Sequence, residues 1–248
     1  MSRLYKNAPL AEAVCEVRFD VQSAWDLTIP GLLYEKLKSE LPKRTPLRFF
    51  EIETLPGSEG VLQKGIQSEI LQFSNNDDTR LVRVGANSLS VHNLGFYPGW
   101  RNFSPFVEHA IRTYCEVANT VIFERIGLRF INKIRILGDE IDLADFFTFF
   151  PNLDEPLPQK YTGYVVGVEF PFTDPEANLR LQLASETSDN SKSFACRFDL
   201  DYFNTQPKSV KVEDLQIWLR KSHDRLEEIF EAAIKDRLRK LFDEEQHA

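Results

Sequence analysis

The sequence predicts an α+β fold in which two β-α-β-β-β-α units form one curved, mainly antiparallel sheet with helices packed on one face. Three observations support this prediction. The same order of strand and helix patterns occurs twice, in residues 1–124 and in residues 125–248. Each unit opens with a strand that carries an Arg-Phe pair. No Gly/Ser-rich linker separates the units, so they should pack as one compact domain.

In the first unit, apolar and charged residues alternate and predict a strand at about 13–19, which contains Arg18-Phe19. Two prolines bound a helix predicted at about 30–41. Turn residues then separate the remaining elements of the unit. These elements are β-rich stretches at about 47–56, 61–74 and 79–94, the last of which could be a hairpin turning at Gly85-Ala86-Asn87, and a helix at about 103–119.

In the second unit, alternation predicts a strand at about 125–137, which contains Arg129-Phe130. Asp142 is a candidate N-cap for a short helix over residues 143–150. The remaining predicted elements are strands at about 162–172, 178–186 and 194–203 and one long helix at about 212–243.

Composition narrows the class of protein. Twenty Phe and one Met in 248 residues predict a core filled by large, rigid rings. The net charge of −8 disfavours binding to phosphate backbones, so a nucleic acid is not expected as a partner. No apolar run approaches the roughly 20 residues that cross a bilayer. Three scattered cysteines, Cys15, Cys115 and Cys196, fit a reducing cytoplasm better than a disulfide framework or a zinc site.

The strand at 194–203 carries the clearest candidate ligand residues. Arg197, Asp199 and Asp201 alternate along one of its faces. Two carboxylates in that spacing could bind a hard cation or act as an acid–base pair. A solvated face is the favoured interpretation, and the face of Arg129, Lys133 and Arg135 could pair with these aspartates across the sheet, which would be a structural role. Asn132 falls on the apolar face of its strand, where it either presents a polar group to a pocket or is a buried amide bonded to backbone.

Two aromatic segments are candidate partner-binding residues. Phe96, Tyr97 and Trp100 form an aromatic loop that could be an exposed anchor or a buried staple under the first unit, and burial is favoured. Phe147 and Phe150 belong to a Phe-rich run that a short helix cannot bury on all sides, so they could cover the neighbouring unit or contact a second chain. The length of the last helix also indicates a homodimer.

Known local motifs for catalysis, for phosphate loops or for metal binding do not occur in the sequence, which makes an enzyme less expected. Three stretches resemble a sporadically distributed bacterial family of proteins of about this size. They are Pro9-Leu10-Ala11-Glu12-Ala13-Val14-Cys15-Glu16-Val17-Arg18-Phe19, Arg125-Ile126-Gly127-Leu128-Arg129-Phe130-Ile131-Asn132-Lys133-Ile134 and the segment from Ser222-His223-Asp224 to Ile229-Phe230-Glu231. The resemblance carries over no activity and no catalytic residues. A sporadic distribution is typical of mobile or defence-associated genes.

The leading functional hypothesis is therefore a non-enzymatic protein-interaction module, with a protein partner in a bacterial defence or toxin–antitoxin-like setting. One alternative is a small-ligand-binding protein or an enzyme with its site between the curved sheet and the helices. A further alternative is nucleic-acid binding by a saddle-like sheet. It rests on an analogy between the element order and the duplicated fold of the TATA-binding protein, and the acidic charge argues against it. No cofactor is expected.

Overall fold

The computed structural model shows a mixed α/β protein with one large antiparallel sheet and four helices. It describes residues 5–20, 25–57, 60–138, 141–159, 161–174, 176–187 and 193–243, and within 49–68 it describes the strands but not the side chains. Among these residues, no helix combines the length and the apolar character that a membrane span requires.

Nine strands form the main sheet, and two short strands form a separate pair. In chain order they are β1 (Leu10–Arg18), β2 (Lys43–Gly57), β3 (Gly60–Ser74), β4 (Arg80–Val84), β5 (Ser88–Leu94), β6 (Ile122–Phe123), β7 (Arg125–Leu137), β8 (Val165–Thr173), β9 (Glu176–Glu186), β10 (Ser193–Asn204) and β11 (Val210–Lys211). The main sheet has the order β2-β3-β4-β5-β1-β7-β10-β9-β8, and β6 pairs with β11. Every neighbouring pair of strands runs antiparallel. In this order β1 and β7 lie side by side near the middle of the sheet.

The helices pack on one face of this sheet. They are α1 (Ile29–Leu37), α2 (Trp100–Val117), α3 (Leu215–Ala233) and α4 (Asp236–Asp243). α2 packs on β5, α3 packs on β7 and β10, and α1 packs on α2. In β7 the residues that face the helices are buried and apolar at every second position, apart from Asn132. The intervening residues, which are mostly charged, form what we call the polar face of the sheet.

The core between sheet and helices is rich in aromatic rings, as the composition predicts. Phe73, Phe103, Phe123, Phe147 and Phe198 are among its largest fully buried side chains. Their edge-on and tilted contacts, such as Phe147 with Phe198 at 5.9 Å between ring centroids, are the favourable geometries for aromatic pairs.

Most predicted elements are present, and the predicted hairpin at 79–94 is formed by β4 and β5. The predicted helix at 143–150 is wrong. Asp142 caps as expected, by accepting a hydrogen bond from the Ala144 amide at 2.9 Å, but only one 3₁₀ turn follows, over Leu143–Asp145. The chain then turns Phe147 into the core, where it forms a β-bridge to Ile234.

The predicted single helix at 212–243 is also wrong in one respect. Helix α3 ends at Ala233, Ile234 is extended with φ −110° and ψ 154°, and α4 begins at Asp236. The interruption allows backbone bonds to the Phe-rich segment, because the Thr148 amide donates to the Ala233 carbonyl and the Lys235 amide donates to the Phe146 carbonyl. The break therefore depends on a contact between distant segments rather than on a local proline or glycine.

Candidate functional site

The candidate site lies on the polar face, where β4, β5, β1 and β7 are neighbours. Alternation along β5 places Ser90 and His92 on this face, because side chains two residues apart in a strand point the same way. The strand register pairs Arg83 of β4 with Ser90. On the other side of β5, Val14 of β1 is paired with His92 and also with Arg129 of β7. Four strands thus bring chemistry-bearing side chains together.

A chain of hydrogen bonds joins Glu12, His92 and Ser90. His92 Nδ1 lies 2.9 Å from Glu12 Oε1, and His92 Nε2 lies 2.8 Å from Ser90 Oγ. The imidazole is only 7% exposed because Val14 and Leu81 lie opposite it on the two neighbouring strands. Ser90, the last member of this series of hydrogen bonds, is partly exposed. The order carboxylate, imidazole, hydroxyl is the one found in serine nucleophile triads.

The surroundings of Glu12, His92 and Ser90 determine their protonation states. The hydrogen bond from His92 holds the pKa of Glu12 below its ordinary value, and Arg83 and Arg129 add to the effect, so Glu12 is ionised near neutral pH. Burial lowers the pKa of His92 more than the neighbouring carboxylates raise it, so the ring is neutral. An ionised carboxylate only accepts, so Nδ1 carries the proton and Nε2 accepts the hydroxyl proton of Ser90.

Arg83 differs from the other arginines around Ser90. Its Nε donates to Gln72 Oε1 at 2.9 Å. Within the described ranges, no carboxylate lies within 4 Å of its guanidinium, and its terminal nitrogens make no hydrogen bond. Each of the other three has a carboxylate partner: Arg18 pairs with Glu16, Arg125 with Glu16 and Asp201, and Arg129 with Asp199. Of these four arginines, Arg83 is therefore the one whose hydrogen-bonded neighbour among the described residues is neutral.

Arg129 and Asp199 form the tightest ion pair of the polar face. Arg129 Nε donates to Asp199 Oδ1 at 2.8 Å and Nη2 donates to the second carboxylate oxygen, which makes the pair bidentate. The carboxylate is 6% exposed and the guanidinium 46%. Asp201 pairs with Arg125 at 3.4 Å, and burial raises the pKa of the Asp201 carboxyl. Both aspartates thus pair with arginines of the neighbouring strand β7, Asp199 with Arg129 as suggested from the sequence and Asp201 with Arg125.

The other two sequence-predicted ligand residues lie elsewhere. Arg197 is on the polar face of β10 and is partly buried, and its Nε has no hydrogen-bond partner among the described residues. Asn132 is buried on the helix-facing side and donates from Nδ2 to the Phe198 carbonyl at 3.1 Å. Asn132 is thus a buried amide bonded to backbone, one of the two interpretations that the sequence left open.

The predicted partner-binding aromatics divide between surface and core. Phe96 is 87% exposed, whereas Phe147 is fully buried and so is not presented to a partner. Tyr97, Trp100 and Phe150 are partly buried. Trp100 stacks on His223 with 4.2 Å between ring centroids, and burial raises the pKa of Tyr97 above its ordinary value. The aromatic loop is therefore neither fully buried nor fully exposed.

Sequence reasoning missed Glu12, Arg83, Ser90 and His92 as a group. The alternation of β5 signals that Ser90 and His92 share a face. Glu12 lies 80 residues from His92 in the chain, and only the register of β1 against β5 brings them together. Among the residues that the structure describes, no group of three or more His, Cys, Asp or Glu side chains could hold a metal ion.

Comparisons with protein-family models, with characterised proteins and with solved structures find no match for the chain. The function is therefore argued from the site.

We expect His92→Gln to destabilise the protein more at about pH 7.5 than at about pH 5.5. Because burial lowers the pKa of His92, the unfolded chain takes up the proton first when the pH falls. The stability that neutral His92 contributes is complete above about pH 6.5, the ordinary histidine pKa, and is lost as the pH falls through the depressed value. Urea unfolding of wild type and variant at both pH values measures the difference.

The control for this experiment is His109→Gln, since His109 is an exposed helical histidine. It should destabilise the protein less than His92→Gln does at about pH 7.5, because an exposed side chain buries little surface. A His92→Gln effect of equal size at both pH values would contradict the assignment of a buried, neutral imidazole.

Proposed function

We propose that the chain binds a small anionic ligand on the polar face of the sheet, at Arg83 and Ser90. The observation that carries this proposal is Arg83, whose backbone position is paired with that of Ser90 and whose guanidinium has no carboxylate within 4 Å in the described part of the chain. Arginine is suited to carboxylate and phosphate groups because its planar fork donates two parallel hydrogen bonds. The terminal nitrogens of Arg83 can supply them.

The hydrogen-bond directions at Ser90 restrict the ligand further. Since the Ser90 hydroxyl donates to His92, its oxygen presents lone pairs rather than a proton to a ligand. The ligand should therefore carry an anionic oxygen for Arg83 and, next to it, a donor or an electron-poor carbon for Ser90. This site differs from the sequence hypothesis of a ligand between sheet and helices, because it lies on the opposite side of the sheet.

Titration with inorganic phosphate and with acetate, followed by amide NMR spectra, tests the proposal. We expect chemical-shift changes confined to β4 and β5 and a dissociation constant on the order of millimolar, equivalent to about −4 kcal/mol, because the site offers a single charged contact. Arg83→Met should abolish the changes. Arg180→Met is the matched control, because Arg180 lies on the same face but is already paired with Glu169. Shifts that survive Arg83→Met, or no shifts at all, would refute this function.

A second candidate is the protein-interaction function, with a second copy of this chain as the partner. Strand β8 is an edge of the sheet, and its backbone can accept another strand. Its exposed apolar residues, Val165 at 69%, Val168 at 38% and Phe170 at 39%, lie on both of its faces. Antiparallel pairing of β8 with itself would continue the sheet across a two-fold axis. Whether such a dimer acts in a defence setting stays a prediction.

Light scattering after size-exclusion chromatography tests this second candidate. Val168→Lys should convert a dimer into a monomer, because charge on an edge strand opposes edge-to-edge pairing. Leu137→Lys, at an exposed position that ends the central strand β7, is the control and should not change the mass. A monomeric wild type at micromolar concentration would dispose of this candidate.

We also propose that the fold arose by internal duplication. Residues 1–124 supply β2-β3-β4-β5-β1 and the rest of the chain supplies β7-β10-β9-β8, so the two halves meet at β1 and β7. A two-fold axis through the paired residues Glu16 and Gly127 would place Arg18-Phe19 on Arg129-Phe130. Both phenylalanines are buried on the helix-facing side, which supports this superposition.

A further inference from the structure

We infer that Ser90 is a nucleophile that takes up an acyl group, and that the polar face hydrolyses small carboxylic esters bearing a negative charge. This inference rests on the proposed anion site and adds a reaction to it. Its basis is the series of hydrogen bonds Glu12–His92–Ser90, with 2.9 Å and 2.8 Å between the bonded atoms, together with Arg83, which is paired with Ser90 in the strand register.

The neutral imidazole is suited to act as a general base. Nδ1–H donates to the ionised Glu12 carboxylate, which fixes the tautomer and leaves the Nε2 lone pair directed at the Ser90 hydroxyl. Glu12 touches His92 rather than a substrate, so it is a positioning residue. Ser90 is partly exposed and His92 is only 7% exposed, so a substrate approaches from the side of the Ser90 hydroxyl while Nε2 remains in contact with that hydroxyl.

Negative charge on the substrate carbonyl must be stabilised by a side chain. β5 is hydrogen-bonded to β4 on one side and to β1 on the other, so its backbone amides are engaged in the sheet. Arg83 is paired with Ser90 in the register of β4 and β5, and its terminal N–H groups, which make no hydrogen bond among the described residues, can turn to donate to the oxyanion. Glu16, the residue opposite Ser90 on the other side, is held by Arg18 and Arg125.

The reaction balances with water as the only co-reactant. Ser90 Oγ forms a bond to the ester carbonyl carbon while its proton passes to His92 Nε2. The carbon–oxygen bond to the alcohol then breaks, and the leaving oxygen takes the proton from Nε2. Water attacks the acyl-serine by the same route, which releases the acid and restores the Ser90 hydroxyl. The sum is ester and water giving acid and alcohol.

Covalent labelling with a fluorophosphonate tests the nucleophile directly. In this step Ser90 Oγ bonds to phosphorus, and fluoride leaves with the hydroxyl proton as HF. Mass spectrometry of the tryptic peptide 84–101 should show one adduct, assigned to Ser90 by fragmentation. Ser90→Ala should abolish the label. Ser88→Ala is the matched control, since Ser88 lies on the same strand and face, and it should label fully.

Turnover is measured with p-nitrophenyl acetate and with mono-p-nitrophenyl succinate, which carries a carboxylate. We expect Ser90→Ala and His92→Gln to lower kcat/KM by about 10²-fold or more. Arg83→Met should lower it more for the succinate half-ester than for the acetate. Glu12→Gln should shift the pH–rate profile, because loss of the carboxylate changes the pKa of His92, whereas a purely structural Glu12 would leave the profile in place.

The outcomes separate this inference from the proposed binding function. Phosphate binding at Arg83 without labelling of Ser90, in a protein whose thermal unfolding is normal, would overturn the inference and leave the binding function. Labelling and turnover without phosphate binding would overturn the binding function alone. Labelling that survives Ser90→Ala would overturn the inference, because it would place the reactive group elsewhere.

Discussion

Replacing Phe198 with alanine should lower the free energy of unfolding by about 3–5 kcal/mol. Phe198 is fully buried in β10 and contacts Phe147 and Phe230, each with 5.9 Å between ring centroids. Removing the ring loses its transfer free energy and leaves a cavity, which rigid aromatic neighbours fill poorly. Urea unfolding followed by circular dichroism measures the change.

The matched control is Phe96→Ala. Phe96 is 87% exposed, so removing its ring should change the free energy of unfolding by less than about 0.5 kcal/mol. Similar losses for the two variants would mean that the core between sheet and α3 is not packed as described.

Arg129→Met should destabilise the protein by about 2–3 kcal/mol. The variant leaves the Asp199 carboxylate, which is 6% exposed, without its bidentate partner. Breaking a fully buried pair costs roughly 3–5 kcal/mol, and the smaller value is expected because the Arg129 side chain is 46% exposed and water screens the pair. Chemical unfolding at neutral pH provides the measurement.

Two further variants identify the cause of this loss. Arg180→Met removes an arginine of the same face whose partner Glu169 is exposed, and it should cost less than about 1 kcal/mol. The double variant Arg129→Met/Asp199→Leu should recover most of the stability, since replacing both members of a buried pair with apolar residues is often neutral. If the double variant loses as much free energy of unfolding as the two single variants together, an unpaired Asp199 carboxylate is not the cause of the loss.

Local patterns were enough to predict most strands. The strand at 125–137 matches β7 at both ends, because apolar residues recur at every second position apart from Asn132. The hairpin at Gly85-Ala86-Asn87 was likewise visible in turn residues. The division of the last helix at Ile234 was not predictable, because it depends on a β-bridge to Phe147, a residue far away in the chain.

The candidate site shows the same limit. Alternation assigns Arg129, Asp199 and Asp201 each to the charged face of a strand, but only the pairing of β7 with β10 brings them together. Glu12 and His92 each look like ordinary polar residues of a strand, and their hydrogen bond exists only because of the register between β1 and β5. Sequence periodicity gives the face on which a side chain lies, but pairing between strands decides which side chains meet.

The central position of β1 has a consequence for folding kinetics. β1 is the first strand in the chain, but its two neighbours, β5 and β7, come much later: Cys15 pairs with Val91 on one side and with Leu128 on the other. Both pairings require large loops to close, and non-local pairing of this kind slows folding. Until β7 is available, β1 is an unprotected edge, so a nascent or truncated chain that ends before residue 125 should be prone to aggregation.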